Sequence, residues 1–262
     1  MTTDPRPPIR VTVAVPAYNE GDCLPRFLAD WVSGGLRCAD PVATLIVVDD
    51  HSAADHEMRQ RLAVETARDA LESAGAAHRV EYLRAPRNQG KGASIRAGWH
   101  RAGEGEHWLG FIDADGAVPA REFWRVAVLL PSATEDAVCG SRVKMAGRSV
   151  ERSVFRHVQG RAFATLVERL FHFGFHDTQC GFKFFRAERL RPVLASLRED
   201  RWLLDIEVLD RLRSAGARFA EVPVDCHQRS SSSLVIGVDP LRIAARLCAL
   251  RRRLRGETGA TR

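Results

Sequence analysis

Apolar and β-branched residues occur along this chain in short runs, and between the runs lie longer segments whose apolar residues recur at helical spacing. Runs that predict strands lie at 9–15, 44–48, 79–83 and 108–112. Segments that predict helices lie at 22–31, 57–74 and 93–103. Strands that alternate with helices are typical of a parallel sheet with helices on both faces, so this part of the chain predicts a doubly wound α/β fold.

The later part of the chain has a different character. Its strands are predicted at 136–140, in the aromatic stretch that ends at Phe185, and at 219–224. Helices are predicted at 158–171 and 201–214, and a basic amphipathic helix at 239–255. A basic loop at 144–156 precedes the first of these helices, so positive charge concentrates in this half.

Two carboxylates follow the apolar run that ends at Ile112, in the motif Asp113-Ala-Asp115-Gly116. An uninterrupted apolar run suits a strand buried on both faces, and open α/β sheets bind ligands where such strands end. If the extended geometry continues to Asp115, its side chain and that of Asp113 share a face and converge. Such a pair suits Mg²⁺ or Mn²⁺ with a diphosphate completing the shell. The alternative is a plain turn, because Asp and Gly are common turn residues.

The ends of the first two strands also carry polar residues. Pro16, Tyr18 and Glu20 follow the first strand, and Asp49 and Asp50 follow the second. Since the carboxyl ends of parallel strands meet at one edge, these residues predict an acidic, partly aromatic nucleotide pocket. Either aspartate would accept hydrogen bonds from a base or ribose, and the tyrosine would stack on the base or border it.

The motif Asn88-Gln-Gly-Lys-Gly92 is a glycine-rich loop before a predicted helix. It is not a phosphate-binding P-loop, because position 85 is Ala and no Ser or Thr follows Lys91. Its backbone N–H groups are nevertheless expected to be free for an anionic ligand. A simple loop with a solvated Lys91 is the alternative.

Composition and charge narrow the class of protein. With 45% hydrophobic and 27% charged residues among 262, the chain has an ordinary globular composition and enough length for a sizeable core. A net charge of +6 favours phosphates, anionic lipid or nucleic acid as partners. The terminal Arg-rich helix lacks interleaved aromatics and any RNA-binding signature, so we expect no nucleic-acid partner.

The sequence also gives expectations about where the protein is located in the cell and about a second candidate metal site. Six cysteines without a Cys-x-x-Cys pair predict reduced thiols, and no signal peptide or membrane-spanning run is evident. We therefore expect a cytoplasmic protein, at most peripheral at the inner face of a membrane. His172 and His176 have the spacing of helical zinc ligands, but the intervening Gly174 and the lack of a Glu between them favour packing roles.

Several motifs stand in a distinctive order: Val13-Ala-Val-Pro-Ala-Tyr-Asn-Glu20, Ile46-Val-Val-Asp-Asp50, Asn88-Gln-Gly-Lys-Gly92, Asp113-Ala-Asp115 and Gly140-Ser-Arg142. In this order they resemble the family 2 glycosyltransferases of the GT-A fold. Two later motifs are Asp177-Thr-Gln-Cys-Gly-Phe-Lys183 and Trp202-Leu-Leu-Asp-Ile-Glu207. They resemble the dolichyl- and polyprenyl-phosphate β-glucosyltransferases, which are close to the dolichyl-phosphate mannose synthases. The resemblance covers roughly residues 9–235.

The resemblance implies a GT-A (Rossmann-like), mixed and mostly parallel sheet flanked by helices. It also implies that the uridine end is held by Pro16, Tyr18, Glu20, Asp49 and Asp50. The segment Asp113-Ala114-Asp115 would hold Mg²⁺ or Mn²⁺ and the diphosphate, with Asp115 as the direct ligand. We also place Lys91 in the nucleotide-sugar site.

On the acceptor side the resemblance implies that Arg142 and Arg152 contact the acceptor phosphate, a task that suits arginine. The sugar and acceptor side would be shaped by Asp177, Lys183, Trp202 and Asp205. The catalytic group would then comprise Asp115, Asp177, Arg142 and Arg152. A phosphate monoester is already anionic near pH 7, so Asp177 need not act as a general base and can orient the donor instead.

The expected domain boundaries follow the same resemblance. They are a flexible N-terminus (1–8), a transferase domain (9–235) with nucleotide-binding (9–118) and acceptor (119–235) halves, and a basic helix and tail (236–262). Residues 241–255 would contact anionic lipid. The family often carries a Gly-Ser-Lys-like lid segment where this chain has Ser230-Ser-Ser-Ser233, so a lid contact with the diphosphate stays open.

Four functions compete at this point. The first is inverting, metal-dependent transfer of glucose from UDP-glucose to a polyprenyl or dolichyl phosphate. The second keeps the donor site but uses GDP-mannose or a soluble phosphorylated acceptor. A catalytically silent nucleotide-sugar-binding protein is disfavoured by the intact Asp113 and Asp115 pair. A sugar nucleotidyltransferase is disfavoured because Pro16-Ala-Tyr-Asn-Glu20 is not a glycine-rich signature.

Overall fold

The computed structural model describes residues 7–143, 149, 154–174, 177–227 and 240–259. Its strands are β1 (Arg10–Ala17), β2 (Val42–Asp49), β3 (Arg79–Arg84), β4 (Trp108–Ile112), β5 (Ala137–Ser141), β6 (Phe182–Arg186) and β7 (Phe219–Pro223). Its helices are α1 (Leu24–Gly35), α2 (Ala54–Ser73), α3 (Lys91–Arg101), α4 (Ala120–Ala127), α5 (Val154–Phe171), α6 (Ala187–Leu194), α7 (Leu204–Ser214) and α8 (Pro240–Gly259).

The strands form one sheet in the order β3-β2-β1-β4-β6-β5-β7. β1 pairs in parallel with β2 and β4, β2 with β3, and β5 with β7, whereas β6 is antiparallel to both β4 and β5. Two successive antiparallel pairings restore the direction, so among the described strands only β6 runs against the rest. The predicted α/β fold with a mixed, mostly parallel sheet is confirmed.

Helices cover both faces of the sheet, and each face has its own hydrophobic core. Alternate residues of β1 face opposite sides: Val13 and Val15 belong to the core that includes Trp31 of α1. Ala14 belongs to the other core, with Trp99 of α3 and Phe111 of β4. Because strands of this kind are buried on both faces, their sequences are continuous apolar runs.

Two helices were not predicted from the sequence, and each has a local reason. α6 contains Pro192, which argues against a helix because proline lacks an N–H and crowds the preceding turn. α4 has only 8 residues, so its apolar residues do not repeat often enough to reveal a period. Both helices connect strands, as a doubly wound fold requires.

The C-terminal helix α8 packs against the body of the protein. Leu247, Leu250 and Leu254 are buried in the core that also contains α3 and α7, whereas Arg252 and Arg255 are exposed. None of the helices within the described ranges is long and apolar enough to cross a membrane.

The topology gathers several loops at one edge of the sheet. β1, β2, β4 and β5 all end there, at Ala17, Asp49, Ile112 and Ser141. The antiparallel strand β6 begins at the same edge, so the segment before Phe182 meets the segment after Ser141. Residues from both halves of the chain are therefore brought together at this edge.

α3 packs so closely on β1 that there is no room for a side chain at Gly98, and this can be tested. A Cβ atom at this position would lie 2.6 Å from the Cβ of Ala14. Gly98→Ala should therefore lower the free energy of unfolding by about 1–3 kcal/mol through overpacking, although Ala normally favours a helix. Gly103→Ala is the control, because no atom lies within 4 Å of its added Cβ. Equal stability of both variants in urea titrations would contradict the packing.

Candidate active site

The side of this edge that is predicted to bind the nucleotide begins with the loop after β1. Tyr18 is 52% exposed at the edge, and Pro16 is half-buried at the end of the strand. The carbonyl oxygen of Glu20 accepts the N–H groups of Cys23 (3.0 Å) and Leu24 (2.9 Å), which fixes the start of α1. The loop therefore presents an aromatic side chain on a rigid support.

Asp49 at the end of β2 is fully buried and bonded within the protein. Its carboxylate accepts the N–H of Ser52 (3.0 Å) and the hydroxyl of Tyr82 (2.9 Å), and Arg84 lies 3.4 Å away. Burial and then the hydrogen bond to Asp49 raise the pKa of Tyr82, which keeps that hydroxyl protonated as a donor. Asp49 thus organises the loop after β2, and a direct contact with a nucleotide stays a prediction.

Asp50, the next residue, binds the glycine-rich loop. It is buried, and its two oxygens accept the N–H groups of Gln89 (2.7 Å) and Gly90 (2.8 Å). Backbone N–H bonds of this kind to a carboxylate are charge-assisted and strong. Asp50 therefore holds the entry to α3 at the carboxyl edge of the sheet.

The other side of the glycine-rich loop is pressed against residues 199–201. A Cβ atom at Gly92 would lie 2.6 Å from the carbonyl oxygen of Glu199, and one at Gly90 would lie 2.5 Å from that of Asp200. The same Asp200 oxygen accepts the N–H of Ala93 (3.0 Å). The expectation of free N–H groups is therefore wrong at positions 89, 90 and 93. The glycines are needed because this loop is clamped between two neighbours.

Asp113 and Asp115 lie in a turn, because β4 ends at Ile112. Asp115 Oδ1 accepts the N–H of Ala117 (2.9 Å), a bond typical of an Asx turn. The condition that strand geometry continues to Asp115 is therefore not met, and the turn alternative describes the local backbone. Ala114 is buried in the core that faces α1 and α4, so only its backbone is available to the site.

Lys91 supplies the positive charge beside these carboxylates. Its Nζ lies 2.6 Å from Asp113 Oδ1 and 5.6 Å from the centre of the Phe111 ring. Burial alone would lower the pKa of Lys91, but Asp113, Asp205 and Asp115 together raise it. The Lys91 ammonium therefore lies near the carboxylates of Asp113, Asp115 and Asp205, and the alternative of a simply solvated Lys91 is wrong.

Lys183 and Asp205 form a buried ion pair behind this cluster. Lys183 is 0% exposed, and its Nζ donates to Asp205 (2.5 Å) and to the carbonyl oxygen of Cys180 (2.6 Å). Lys183 is thereby committed to protein partners and holds Asp205 in place. Trp202 is half-buried beside Phe163, with ring centres 5.6 Å apart.

Arg142 and Asp177 form a bidentate pair where β5 ends and β6 approaches. Nε and Nη2 of Arg142 donate to the two oxygens of Asp177 at 2.7 and 2.8 Å, and the Arg142 N–H adds a third bond at 3.0 Å. Burial would raise the pKa of Asp177, but Arg142 holds it well below its usual range. The predicted partner of Arg142 is an acceptor phosphate, yet its guanidinium is bound to a carboxylate of this chain.

Some predicted residues lie outside the described ranges. These are Arg152, most of the basic loop 144–156, the serine segment 230–233 and His176. His172 follows the end of α5 in the left-handed region (φ 54°), so the helical spacing of the two histidines does not apply. Among the residues with described positions, no three His, Cys, Asp or Glu side chains are arranged to hold a metal.

Sequence reasoning missed the residues that hold the glycine-rich loop. Glu207 in α7 is 0% exposed and accepts the N–H groups of Arg198 (2.9 Å) and Glu199 (2.7 Å). A signal was present: Glu207 lies among the apolar residues Ile206, Val208 and Leu209. A charged residue within such a run indicates a buried, partnered carboxylate.

The chain matches known proteins over most of its length. The sequence model of the family described as "Glycosyl transferase family 2" matches residues 12–208. The human protein "Dolichyl-phosphate beta-glucosyltransferase" is 32% identical over 266 residues, which cover 98% of this chain and 78% of that protein. The two proteins are therefore similar in sequence over nearly the whole of this chain.

Solved structures show the same fold at lower identity. The mannosyltransferase PcManGT from Pyrobaculum calidifontis, in complex with GDP-Man and Mn²⁺, has a TM-score of 0.59 and 22% identity over 89% of this chain and 60% of its own. Glucosyl-3-phosphoglycerate synthase from Mycobacterium tuberculosis, in complex with Mn²⁺ and UDP, has a TM-score of 0.54 and 19% identity. The match covers 94% of this chain and 76% of the synthase. Both are GT-A glycosyltransferases, and this likeness is one of fold.

The Arg142–Asp177 pair makes a prediction about stability and pH. Because the pKa of Asp177 is lowered by folding, its contribution to stability is present above the unfolded pKa of about 3.9 and is lost as the pH falls. Asp177→Asn should lower the free energy of unfolding by about 3 kcal/mol at pH 7. The variant should also lose less stability than the parent between about pH 5 and pH 2.

The matched control is Glu81→Gln, which removes an exposed pair with Arg101. It should change stability by less than about 0.5 kcal/mol at any pH, as exposed pairs do. Chemical denaturation at a series of pH values measures both variants. Parallel pH profiles for Asp177→Asn and the parent would contradict the assigned pair.

Proposed function

The chain belongs to glycosyl transferase family 2, and from this premise we propose that it is an inverting, metal-dependent transferase that moves glucose from UDP-glucose to a polyprenyl phosphate. One observation carries the proposal: Lys91, Asp113, Asp115 and Asp205 gather at the edge where β1, β2 and β4 end. Sheets of this kind bind ligands at that edge, and mixed charge suits a diphosphate with its cation. The human relative, a dolichyl-phosphate β-glucosyltransferase, supports the choice of substrates.

Tyr18 is proposed to bind the base of the donor. Its exposed ring stands beside the fixed loop that starts α1, so it offers an apolar face at the rim of the pocket. Asp49 and Asp50 would border the uridine indirectly, because their recorded hydrogen bonds go to Ser52, Tyr82 and the glycine-rich loop. Pro16 and Glu20 would shape the same wall.

Asp113 and Asp115 are proposed to hold Mg²⁺ or Mn²⁺. Carboxylate oxygens are hard ligands, and Mg²⁺ is commonly bound by one or two carboxylates with substrate phosphates and water. Gly181 leaves room for this carboxylate, since a Cβ atom there would lie 1.9 Å from Asp113 Oδ2. The two solved relatives of this fold were obtained with Mn²⁺. A bound cation would act as a Lewis acid on the negative charge of the departing diphosphate.

We propose that the Lys91 ammonium leaves Asp113 and contacts the diphosphate when the donor binds. Without donor, its ammonium balances the carboxylates around it. A Lys ammonium is a common phosphate ligand that acts as a point charge with three donors. Its raised pKa keeps it charged throughout the physiological pH range, which suits this role.

Asp177 is proposed to orient the donor and not to accept a proton from the acceptor. A carboxylate whose pKa is lowered by Arg142 is a weak base. The acceptor phosphate, whose second pKa is about 6, is already mostly dianionic at pH 7 and needs no strong base. Attack from the face opposite the leaving group inverts the sugar. Arg142 and Arg152 remain the proposed contacts of that phosphate, while Trp202 would border the sugar.

Contact with a membrane surface is proposed for the outward face of α8. Arg242, Arg246, Arg252 and Arg255 are exposed, and the apolar face of the helix is already used in packing. Exposed basic residues near an anionic leaflet contribute about 1 kcal/mol each. Such a contact would bring the acceptor side to a lipid phosphate.

The direct test is transfer of label from UDP-glucose or GDP-mannose into a short polyprenyl phosphate, with Mg²⁺, Mn²⁺ or EDTA present. We expect labelled lipid from UDP-glucose only, and no label with EDTA. Label from GDP-mannose alone would favour the second candidate, a mannosyltransferase, for which the likeness to the fold of PcManGT is the supporting observation. Failure to label lipid from either donor would overturn the lipid acceptor.

Asp115→Ala gives this assay its negative control. Loss of a proposed metal ligand should lower kcat/KM at least about a thousandfold, because a bound cation contributes several kcal/mol to charge stabilisation. Asp69→Ala on the exposed face of α2 is the matched substitution and should keep parental activity. Both proteins should retain the parental circular dichroism spectrum. Parental transfer by Asp115→Ala would remove this residue from the metal site.

A further inference from the structure

We propose that Glu207 is a positioning residue for the donor site: it fixes residues 197–201, and this segment in turn holds Lys91 against Asp113. The proposal rests on the proposed function, because Lys91 acts on the donor there. Glu207 itself does not contact the carboxylate cluster in the described hydrogen bonds. Its effect would pass through the contacts that residues 197–201 make with the first turns of α3.

Glu207 is a buried anion whose four recorded bonds join three parts of the chain. Oε2 accepts the backbone N–H groups of Arg198 (2.9 Å) and Glu199 (2.7 Å). Oε1 accepts the guanidinium groups of Arg211 (3.2 Å) and Arg253 (3.1 Å). The two arginines compensate the buried charge, which allows the other oxygen to hold a loop.

An apolar side chain of similar size could fill the space of Glu207 but could not replace this contact. Stability alone does not explain a buried charge at this position, because well-packed apolar residues often stabilise a protein interior as much as a buried ion pair or more. What only an acceptor provides is a fixed point for the two N–H groups of Arg198 and Glu199. Glu207 is therefore suited to determine where residues 197–201 lie.

Residues 197–201 contact the glycine-rich loop through several groups. The Asp200 carbonyl oxygen accepts the N–H of Ala93 (3.0 Å). Arg96, one turn further along α3, donates to the Leu197 carbonyl oxygen and to the Asp200 carboxylate. The Glu199 carbonyl oxygen lies so close to Gly92 that a Cβ atom there would be 2.6 Å away. A shift of this segment must therefore shift the first turn of α3.

Lys91 is the first residue of that turn, between two clamps. Asp50 holds Gln89 and Gly90 from the end of β2. Residues 197–201 hold the next residues from the opposite side. With the backbone fixed on both sides, the ammonium of Lys91 reaches Asp113 at 2.6 Å.

The same contacts connect the C-terminal helix to the donor site. Arg253 of α8 donates to Glu199 (3.0 Å) as well as to Glu207 (3.1 Å). Arg211 also pairs with Glu257 of α8 (2.6 Å). Removal of Arg253 should therefore weaken the same clamp from the side of α8.

A double-mutant cycle tests whether Glu207 acts through Lys91. Glu207→Gln and Lys91→Gln should each raise the donor KM about tenfold and leave the acceptor KM unchanged. Combined, they should raise the donor KM no more than Lys91→Gln alone, because Glu207 acts through Lys91. Additive effects, or an unchanged donor KM in Glu207→Gln, would overturn the proposal.

A control variant separates positioning from general loss of stability. Asp136→Asn also removes a buried carboxylate, which accepts the N–H of Arg218 (2.9 Å) and pairs with Arg189 (3.1 Å) near the opposite end of β5. It should lower the melting temperature without changing the donor KM. A donor KM that rises in Asp136→Asn as much as in Glu207→Gln would mean that stability alone explains the effect.

Hydrogen exchange keeps the proposal testable without activity. In Glu207→Gln, amide exchange of residues 88–96 should be faster than in the parent, while β2 should stay protected. Unchanged exchange in 88–96 would overturn the proposed clamp. A parent protein that transfers no sugar would overturn the proposed function and leave this test valid. If Glu207→Gln fails to fold, Arg253→Gln provides the same comparison with the same two outcomes.

Discussion

The candidate site depends on one electrostatic constraint: the carboxylates of Asp113, Asp115 and Asp205 at the edge of the sheet must be balanced by the ammonium groups of Lys91 and Lys183. Asp113 is in direct contact with Lys91, and Asp115 and Asp205 contribute to its raised pKa. Carboxylates gathered in a partly buried place repel one another unless a cation stands among them. The loop that carries Lys91 comes very close to its neighbours, and glycines flank Lys91 for this reason. Asp50 binds the N–H of Gly90, and Glu207 holds the segment against which the loop packs.

The second constraint is topological. Because β6 runs against the other strands, the segment that precedes it returns to the edge where β4 and β5 end. This return places Asp177 beside Arg142 and Lys183 behind the Lys91 cluster, so residues far apart in sequence share one site. The proposed donor side is built from loops after parallel strands, and the proposed acceptor side from this single reversal. A family 2 glycosyltransferase needs both sides to face one sugar.

Much of this could be predicted from the sequence, and the failures have physical reasons. Apolar runs such as that ending at Ile112 predicted the strands, and the polar residues after them predicted that the loops of the candidate site lie at one edge of the sheet. Between the two possibilities that the sequence left open at Asp115, extended geometry and a turn, the turn forms because a local side-chain hydrogen bond closes it. The free N–H groups expected around Gly90 are occupied by partners 39 and more residues away, Asp50 and Asp200. The periodicity of apolar residues indicates which face of a helix or strand is buried. It says nothing about hydrogen bonds between distant residues, such as those that Glu207 accepts from Arg198 and Glu199.

The most direct test of this account is a crystal structure of the protein with UDP and Mn²⁺, in which the position of the Lys91 ammonium is measured. The account predicts that Nζ leaves Asp113 and lies within hydrogen-bonding distance of a diphosphate oxygen, with Asp115 bound to the cation and residues 197–201 unmoved. A diphosphate bound elsewhere on the protein, with the contact between Lys91 and Asp113 intact, would contradict it.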